Sequence, residues 1–109
     1  MFPKVHLLVE KDGKKIDKLF LDKKSYFLFG KSKGADFLLE NPTISRFHSC
    51  IYFSSETEVM LIDMNSTHGT YLNKNKLESL IQYRLNKGDV IRFGTSERNY
   101  TIDIDWSQI

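Results

Sequence analysis

Apolar residues recur at every second position along most of this chain, and no segment sustains the three-to-four-residue spacing of a helix. Val5, Leu7 and Val9 show the alternation clearly. The dipeptide Asp12-Gly13, which favours a tight hairpin turn, follows them. Polar turn segments separate the later β-rich runs at short, fairly regular intervals. This pattern predicts about ten short strands in an all-β sandwich or barrel.

The predicted strands share this alternation or an enrichment in β-branched and aromatic residues. They cover residues 5–9, 16–21, 25–29, 36–39, 49–53, 59–63, 70–72, 83–85, 90–93 and 100–104. Asn41-Pro42 ends the fourth strand, because proline has no backbone N–H for a ladder and restrains the residue before it. A length of 109 residues suits one domain.

The composition excludes several classes of protein. Two prolines and six glycines are too few for a disordered or fibrous chain. Charged residues interrupt every apolar run well short of the roughly 20 residues of a membrane span, so no membrane association is expected. The single cysteine, Cys50, forms no internal disulfide, which favours a reducing compartment, the cytosol or the nucleus. A net charge of +2 is weak for a nucleic-acid binder, and no direct nucleic-acid binding is expected.

The residue patterns tested for catalysis and metal binding are all incomplete. Gly30-Lys31-Ser32 resembles the end of a phosphate-binding P-loop, but that loop needs a glycine where Ser25 stands and must open a helix. The histidines at positions 6, 48 and 68 have neither helical pair spacing nor a Cys-x-x-Cys partner for zinc. No set of nucleophile and base is visible. We therefore expect a protein that is not an enzyme and that holds no cofactor and no metal.

Three polar segments between predicted strands combine side chains suited to an anion: residues 30–34, 41–48 and 63–73. Lysine and arginine supply charge, serine and threonine supply hydroxyl donors, and glycine lets backbone N–H groups approach a ligand closely. A phosphorylated side chain, with about −1.5 to −2 charges and three strong acceptor oxygens, needs such a set. The same residue types dominate ordinary turns, so residue types alone leave both interpretations open.

The order of several motifs resembles that of the forkhead-associated (FHA) domain family. The motifs are Gly30-Lys31, Ser45-Arg46-Phe47-His48, Asp63 with the run from Ser66 to Asn73, and then Leu85, Gly88-Asp89, Ile91 and Phe93-Gly94. The resemblance covers about residues 24–104. It implies a sandwich of about eleven mostly antiparallel strands with the functional loops at one end. It also implies a single FHA domain over residues 1–109, with its core at about 24–104 and N-terminal hairpin strands at about 4–21.

Members of this family recognise phosphothreonine in partner proteins without catalysis. The resemblance therefore implies a phosphopeptide-recognition adaptor in signalling or RNA-processing assemblies, whose partner is a phosphothreonine-containing protein or peptide. The phosphopeptide contacts that it implies are Lys31, Ser45, Arg46, Thr67 and His68. The loop-shaping positions that it implies are Gly30, His48, Ser66, Gly69, Thr70 and Asn73.

Two positions depart from the family pattern. Lys31 replaces an arginine that is normally a principal phosphate contact, and lysine keeps the charge but lacks the planar fork that holds two oxygens. His68 stands where most members have an asparagine that holds the peptide backbone. Lys31 therefore keeps open a second hypothesis, an FHA-fold interaction scaffold whose phosphate pocket is weakened or lost. A nucleic-acid-binding or enzymatic role is the third.

Two segments resemble a nuclear subgroup of the family: Ser66-Thr67-His68-Gly69-Thr70 and the run from Phe93 to Tyr100. This resemblance favours the nucleus over the cytoplasm, and partners in pre-mRNA splicing that are phosphorylated at Thr-Pro sites. Nothing in the sequence demands a dimer, so we expect a monomer.

Overall fold

The computed structural model describes residues 2–108, which form eleven strands in two packed sheets. The strands are β1 (Lys4–Lys11), β2 (Lys14–Leu21), β3 (Tyr26–Gly30), β4 (Phe37–Leu38), β5 (Ser49–Ser55), β6 (Glu58–Asp63), β7 (Thr70–Leu72), β8 (Asn75–Lys76), β9 (Gln82–Leu85), β10 (Val90–Phe93) and β11 (Asn99–Asp105). A three-residue 3-10 turn, Trp106–Gln108, follows β11. No helix within residues 2–108 is long and apolar enough to cross a membrane.

One sheet has six strands in the order β2-β1-β11-β10-β7-β8, and the other has five in the order β4-β3-β5-β6-β9. The pairing of β3 with β4 is parallel, and the other described pairs are antiparallel. The predicted all-β sandwich of mostly antiparallel strands is therefore confirmed. Asp12 and Gly13 have φ angles of 52° and 75°, as a tight primed turn between β1 and β2 requires.

Strand β8 has no counterpart among the strands predicted from the alternation. Its two residues, Asn75 and Lys76, are polar and exposed, and they pair with Leu72 and Tyr71 across a short turn. Asn73 and Lys74 in that turn have φ angles of 49° and 72°. The turn therefore creates the pairing of β7 with β8, and no apolar pattern in the sequence predicts it. The predicted fourth strand, residues 36–39, is shorter in the structure, where β4 covers Phe37–Leu38.

The core lies between the two sheets and is built from the inward-facing half of each alternation. Val5, Leu7 and Val9 on β1 are 4% exposed or less. The five-stranded sheet contributes buried residues from β3, β5 and β6: Phe27, Phe29, Ile51, Phe53, Val59 and Leu61. Burial of this apolar surface is the main favourable contribution to folding.

Phe93, at the end of β10, connects the core to the loops. Its fully buried ring stacks on Phe29 with centroids 5.4 Å apart and meets Tyr100 edge-on at 4.9 Å. It also meets the His48 ring edge-on at 5.8 Å. The aromatic cluster therefore supports the residues that enter and leave the loops at this end of the sandwich.

Five strand ends bring those loops together. In the five-stranded sheet Phe29 pairs with Ser49, and Ser49 pairs with Asp63. In the six-stranded sheet Phe93 pairs with Thr70. The hydroxyls of Ser49 and Thr70 lie 2.6 Å apart, so a hydrogen bond joins the two sheets where the loops begin. The segments 31–48, 64–69 and 94–98 consequently emerge at one end.

Phe93→Ala tests how much the aromatic cluster contributes to the stability of the fold. We expect it to lower the free energy of unfolding by about 3–5 kcal/mol, because it removes a fully buried ring and leaves a cavity. Phe20→Ala is the matched control, since the Phe20 side chain is 58% exposed and its loss should change the free energy by about 0.5 kcal/mol or less. Urea unfolding measures both, and equal costs would contradict this assignment of the core.

Candidate functional site

The loops enclose a groove of about 610 Å³ at this end of the sandwich. All five residues that the family resemblance assigned to phosphopeptide contacts line it: Lys31, Ser45, Arg46, Thr67 and His68. These residues come from three segments that are far apart in the sequence. The fold therefore brings the five side chains to one surface, where they can act on a single ligand.

One wall of the groove, the first wall, forms where residues 31–32 pack against residues 45–46. The backbone N–H of Lys31 donates to the carbonyl of Ser45, and that of Ser32 donates to the carbonyl of Arg46, both at 3.0 Å. Gly30 makes this close approach possible, because a Cβ atom at position 30 would lie 2.1 Å from the Arg46 carbonyl oxygen. Gly30 is thus required by close packing at this position.

Ser45 is held on two sides. Its backbone N–H donates to Nδ1 of His48 at 3.1 Å, and its hydroxyl oxygen accepts from the backbone N–H of Thr67 at 3.1 Å. Ser45 donates the hydrogen of this hydroxyl to none of the residues that the structure describes. Ser45 therefore presents a fixed oxygen whose hydrogen is available to an acceptor in the groove.

His48 lies beneath the groove and contacts both loops. Its side chain is fully buried; Nδ1 accepts from Ser45, so Nε2 carries the hydrogen and donates to the Gly69 carbonyl at 2.7 Å. Burial lowers the pKa of His48 below its ordinary value of 6.5, outweighing the opposing effects of the Gly69 carbonyl and of Asp63. The neutral imidazole thus connects segment 45–48 to segment 66–69.

Asp63 is the buried anchor of the second loop. Its carboxylate, 1% exposed, accepts from the backbone and hydroxyl of Ser66 at 3.0 and 2.6 Å and from the hydroxyls of Thr70 and Ser79 at 2.6 and 2.8 Å. Burial by itself raises the pKa of Asp63, but these hydrogen bonds outweigh it and hold the pKa below 3.8. The sequence contained Asp63 within a motif, but the contribution of Ser79, 16 residues later, was not predicted.

The other loop-shaping positions have distinct places. Ser66 Oγ accepts from the Gly69 backbone N–H at 2.9 Å. Gly69 has a φ of 86°, and a Cβ there would lie 2.7 Å from Cε of Lys76. Asn73, like the other loop-shaping residues, does not line the groove: its side-chain oxygen accepts from the Val90 N–H at 2.9 Å, which ties the β7–β8 turn to the start of β10.

A fourth segment, residues 94–98, supports the groove, and its role was not predicted from the sequence. Thr43 Oγ1 accepts from the backbone N–H of Thr95 at 2.9 Å. Asn41 in turn accepts from the backbone and hydroxyl of Thr43 at 2.9 and 2.6 Å. A Cβ at Gly94 would lie 2.5 Å from Thr43 Oγ1. The composition of Asn41-Pro42-Thr43 is typical of a turn that is stabilised by its own side chains. This is the sequence signal that could have predicted the support.

The groove is electropositive. Lys31 and Arg46 are exposed, and neither takes part in an ion pair among the described residues. No acidic side chain of the described part of the chain lines the groove, since Asp63 is turned inward and fully hydrogen-bonded. Two cations and hydroxyl donors form a surface that suits an anion. Within residues 2–108, no three ligating side chains are grouped so that they could hold a metal ion.

Fold and groove together define a β-sandwich interaction module that carries an anion site on its loops. The sequence profile of the FHA domain family matches residues 27–94, and the chain belongs to that family. Members of the family are non-catalytic modules that bind phosphopeptides and so mediate protein interactions. The predicted family membership is thereby confirmed.

Individual relatives agree with this assignment. The human nuclear inhibitor of protein phosphatase 1 is 39% identical over 102 residues, which are 92% of this chain and 29% of the inhibitor. Human kanadaptin is 36% identical over 88 residues, which are 72% of this chain and 12% of kanadaptin. The chain thus spans less than a third of either relative. A structure solved in a study of phosphothreonine-dependent FHA domain interactions superposes with a TM-score of 0.75 at 28% identity, covering 92% of this chain and 95% of the other.

Gly30→Ala tests the docking of the first wall. A methyl group 2.1 Å from the Arg46 oxygen forces the backbone apart, so we expect a loss of about 3 kcal/mol of unfolding free energy, the upper end for overpacking. Gly34→Ala in the same segment is the control. Its Cβ would meet Phe47 at 3.4 Å, an ordinary contact, and should cost about 0.5 kcal/mol or less. Chemical unfolding of the two variants decides, and similar losses would refute the close-packing argument.

His48 predicts a pH dependence of stability. Because the pKa of His48 is lowered on folding, the unfolded chain binds the proton more tightly, and stability falls as pH drops below the ordinary value of 6.5. We expect the wild-type free energy of unfolding to decrease between about pH 7.5 and 5.5. His48→Gln should be less stable at the higher pH but should lack this part of the slope. Urea titrations at three pH values compare the slopes, and identical slopes would exclude His48 as the cause.

Proposed function

We propose that the groove binds a phosphothreonine side chain of a partner protein and that the chain acts as a non-catalytic adaptor. The observation that carries the proposal is the state of Ser45. Its hydroxyl oxygen is fixed by the Thr67 N–H at 3.1 Å, and its hydrogen is directed to no described residue. The exposed cations of Lys31 and Arg46 line the same groove. A phosphate dianion needs a donor and compensating charges in this arrangement.

Each contact residue has a separate role in the proposal. Ser45 donates its hydroxyl to one phosphate oxygen, and Lys31 supplies a positive charge to the others. Arg46 adds a second cation, with a guanidinium suited to a phosphate or to the peptide carbonyls beside it. Thr67, whose backbone N–H holds the Ser45 hydroxyl, offers a further hydroxyl. His68 hydrogen-bonds the peptide backbone next to the phosphothreonine.

The choice of phosphothreonine over phosphoserine rests on the apolar part of the groove. Pro42 and Met64 line it beside the polar contacts, and both are exposed. The methyl group of threonine gains a contact on such a surface, whereas serine leaves it unfilled. The related domain studied for phosphothreonine-dependent interactions supports the same choice.

We further propose a nuclear setting, with partners phosphorylated at Thr-Pro sites in RNA-processing assemblies. Its support is the identity of 39% with the human nuclear inhibitor of protein phosphatase 1 over nearly the whole of this chain. The expected state is a monomer that binds no nucleic acid directly.

A second candidate function is an interaction scaffold of the same fold with a weak phosphate pocket. The observation that favours it is Lys31. The backbone of Lys31 is fixed by its bond to Ser45, but a lysine side chain is flexible and offers one compact ammonium where a guanidinium would offer a fork.

Titration against an oriented phosphothreonine peptide library separates the two candidates. A phosphothreonine reader binds its best peptide with a dissociation constant on the order of micromolar. Binding vanishes with the unphosphorylated peptide and weakens with phosphoserine in the same sequence. A folded domain that shows no phosphate-dependent binding would support the scaffold.

Variants assign that binding to the groove. Ser45→Ala and Lys31→Ala each lower the affinity at least about tenfold, the usual effect of losing a hydrogen bond to a charged group. Lys31→Arg raises it. Lys33→Ala is the matched control, because Lys33 is an exposed lysine of the same segment that does not line the groove. A Lys33→Ala variant that loses as much affinity as Lys31→Ala would mean that general positive charge, and no defined contact, holds the peptide.

A further inference from the structure

Three strands of the five-stranded sheet carry apolar residues on both of their faces. β3 reads Tyr-Phe-Leu-Phe over residues 26–29, β5 reads Cys-Ile-Tyr-Phe over 50–53, and β6 reads Val-Met-Leu-Ile over 59–62. Continuous apolar runs are typical of strands that are covered on both sides, whereas a strand with one solvated face alternates between apolar and polar residues. These three strands therefore have the composition of a sheet with a second cover.

The core covers only one side of these strands. Phe27, Ile51 and Leu61 face it and are at most 3% exposed. Successive side chains of a strand point to opposite faces, so the residues between them point away from the core. Six apolar side chains do so, and none of the six belongs to the core or packs against it. We call them the outer sheet patch: Tyr26, Leu28, Cys50, Tyr52, Met60 and Ile62.

Cross-strand pairing joins the outer sheet patch into two adjacent rows. The pairs are Tyr26–Tyr52, Tyr52–Met60, Leu28–Cys50 and Cys50–Ile62. Residues 2–108 form two sheets and a single short 3-10 turn, so they supply no α-helix and no third sheet to lie over these rows. Single exposed apolar residues are ordinary on a protein surface, whereas an adjoining group indicates an interaction surface.

The outer face of the six-stranded sheet differs from this one. There the Asp103 carboxylate lies 3.8 Å from the His6 ring and 3.4 Å from the Lys87 ammonium. The ammonium of Lys18 lies 5.9 Å from the centre of the Phe20 ring on the same face. That face is charged and suited to water. The apolar outer face is consequently a property of β3, β5 and β6 and not of the sandwich as a whole.

The size of the outer sheet patch suits one helix. With strands about 4.8 Å apart and rows about 6.8 Å apart, three strands and two rows cover about 200 Å². A stable homodimer needs about 800 Å² from each copy, so a second copy of this chain does not account for the patch. An α-helix is about 10 Å across and rises about 5.4 Å per turn, so about two to three turns of one helix cover it.

A cation borders the outer sheet patch. Arg84 on β9 pairs with Met60, so its exposed side chain continues the first row beyond the apolar residues. Arg84 takes part in no ion pair among the described residues. Lys24, at the opposite border of the patch, is already paired with Asp36. The guanidinium of Arg84 is therefore open to a carboxylate of a partner.

We propose that the outer sheet patch binds an amphipathic helix of a partner protein, with an apolar stripe on the patch and an acidic residue beside Arg84. A helix packed on a sheet face is one of the stable layer arrangements of proteins, and its stripe places apolar residues at i, i+3, i+4 and i+7. The inference goes beyond the proposed function and does not depend on it, since none of the six patch residues lines the phosphate groove. A domain with both sites holds two protein segments at once.

The test selects helices from a displayed peptide library on the immobilised wild type. The peptides have about 18 residues, enough to form a helix alone, with a fixed apolar stripe and randomised acidic, basic or neutral residues along both of its edges. The wild type selects peptides with an acidic residue at one edge. The double variant Tyr52→Thr, Met60→Thr binds a selected peptide at least about tenfold more weakly, because two apolar contacts are lost. Threonine favours strands, so this variant should fold.

Leu8→Thr is the matched control. Leu8 is a partly buried apolar residue that pairs with Lys18 and Thr101 on the outer face of the other sheet, so its replacement leaves the affinity for the helix unchanged. Arg84→Glu changes an exposed side chain and keeps the patch. Selection on this variant yields basic residues at the edge where the wild type selects acidic ones. Should the double variant fail to fold by circular dichroism, this reversal of charge decides.

Three results overturn the inference. The first is a wild type that selects no helix, or that binds its helices no better than the double variant does. The second is an unchanged edge preference in Arg84→Glu. The third is self-association of the wild type in sedimentation that the double variant abolishes, which assigns the patch to a second copy. None of these results bears on phosphate-dependent binding, which the peptide titration measures separately.

Discussion

The functional end of the molecule depends on the buried carboxylate of Asp63. A buried charge is costly unless hydrogen bonds replace its water, and four short bonds from Ser66, Thr70 and Ser79 do so here. The same bonds determine where the chain can go on leaving β6, because they fix the loop that carries Thr67 and the turn that precedes β9. A hydrogen bond between the hydroxyls of Thr70 and Ser49 then joins the two sheets at this point. One desolvated group thus positions elements of both sheets.

The polar groups divide into an inner layer that is fully satisfied and an outer layer that is open. Asp63 and His48 lie inside, and each has its polar atoms paired with loop groups. No buried side-chain nitrogen or oxygen among the described residues is left without a partner. The outer layer, Ser45 with the cations of the groove, keeps donors for a ligand. A site whose donors are held in place before binding loses less conformational entropy when the ligand arrives, which favours affinity.

The sequence predicted the sandwich because alternation with a period of two is a property of the chain itself, as in Val5, Leu7 and Val9. It predicted the groove residues only through the order of motifs, since residues 31, 45 and 67 become neighbours only when the fold is formed. What it did not predict depends on long-range or conformational detail. Ser79 reaches Asp63 from 16 residues away, and Leu80, in the turn before β9, has a φ of 64°, which leucine rarely adopts. Strand β8 exists because a tight turn pairs it with β7, and it carries no apolar alternation of its own.

Lysine at position 31 changes how much of the binding energy comes from the phosphate and how much comes from the peptide residues around it. Arginine at such a position holds two phosphate oxygens, and lysine holds the charge without that geometry. Under the proposed function, the part of the binding energy that every phosphothreonine shares is therefore smaller. Selectivity is a difference between affinities, so a contact that only some peptides can make then contributes a larger share of the total.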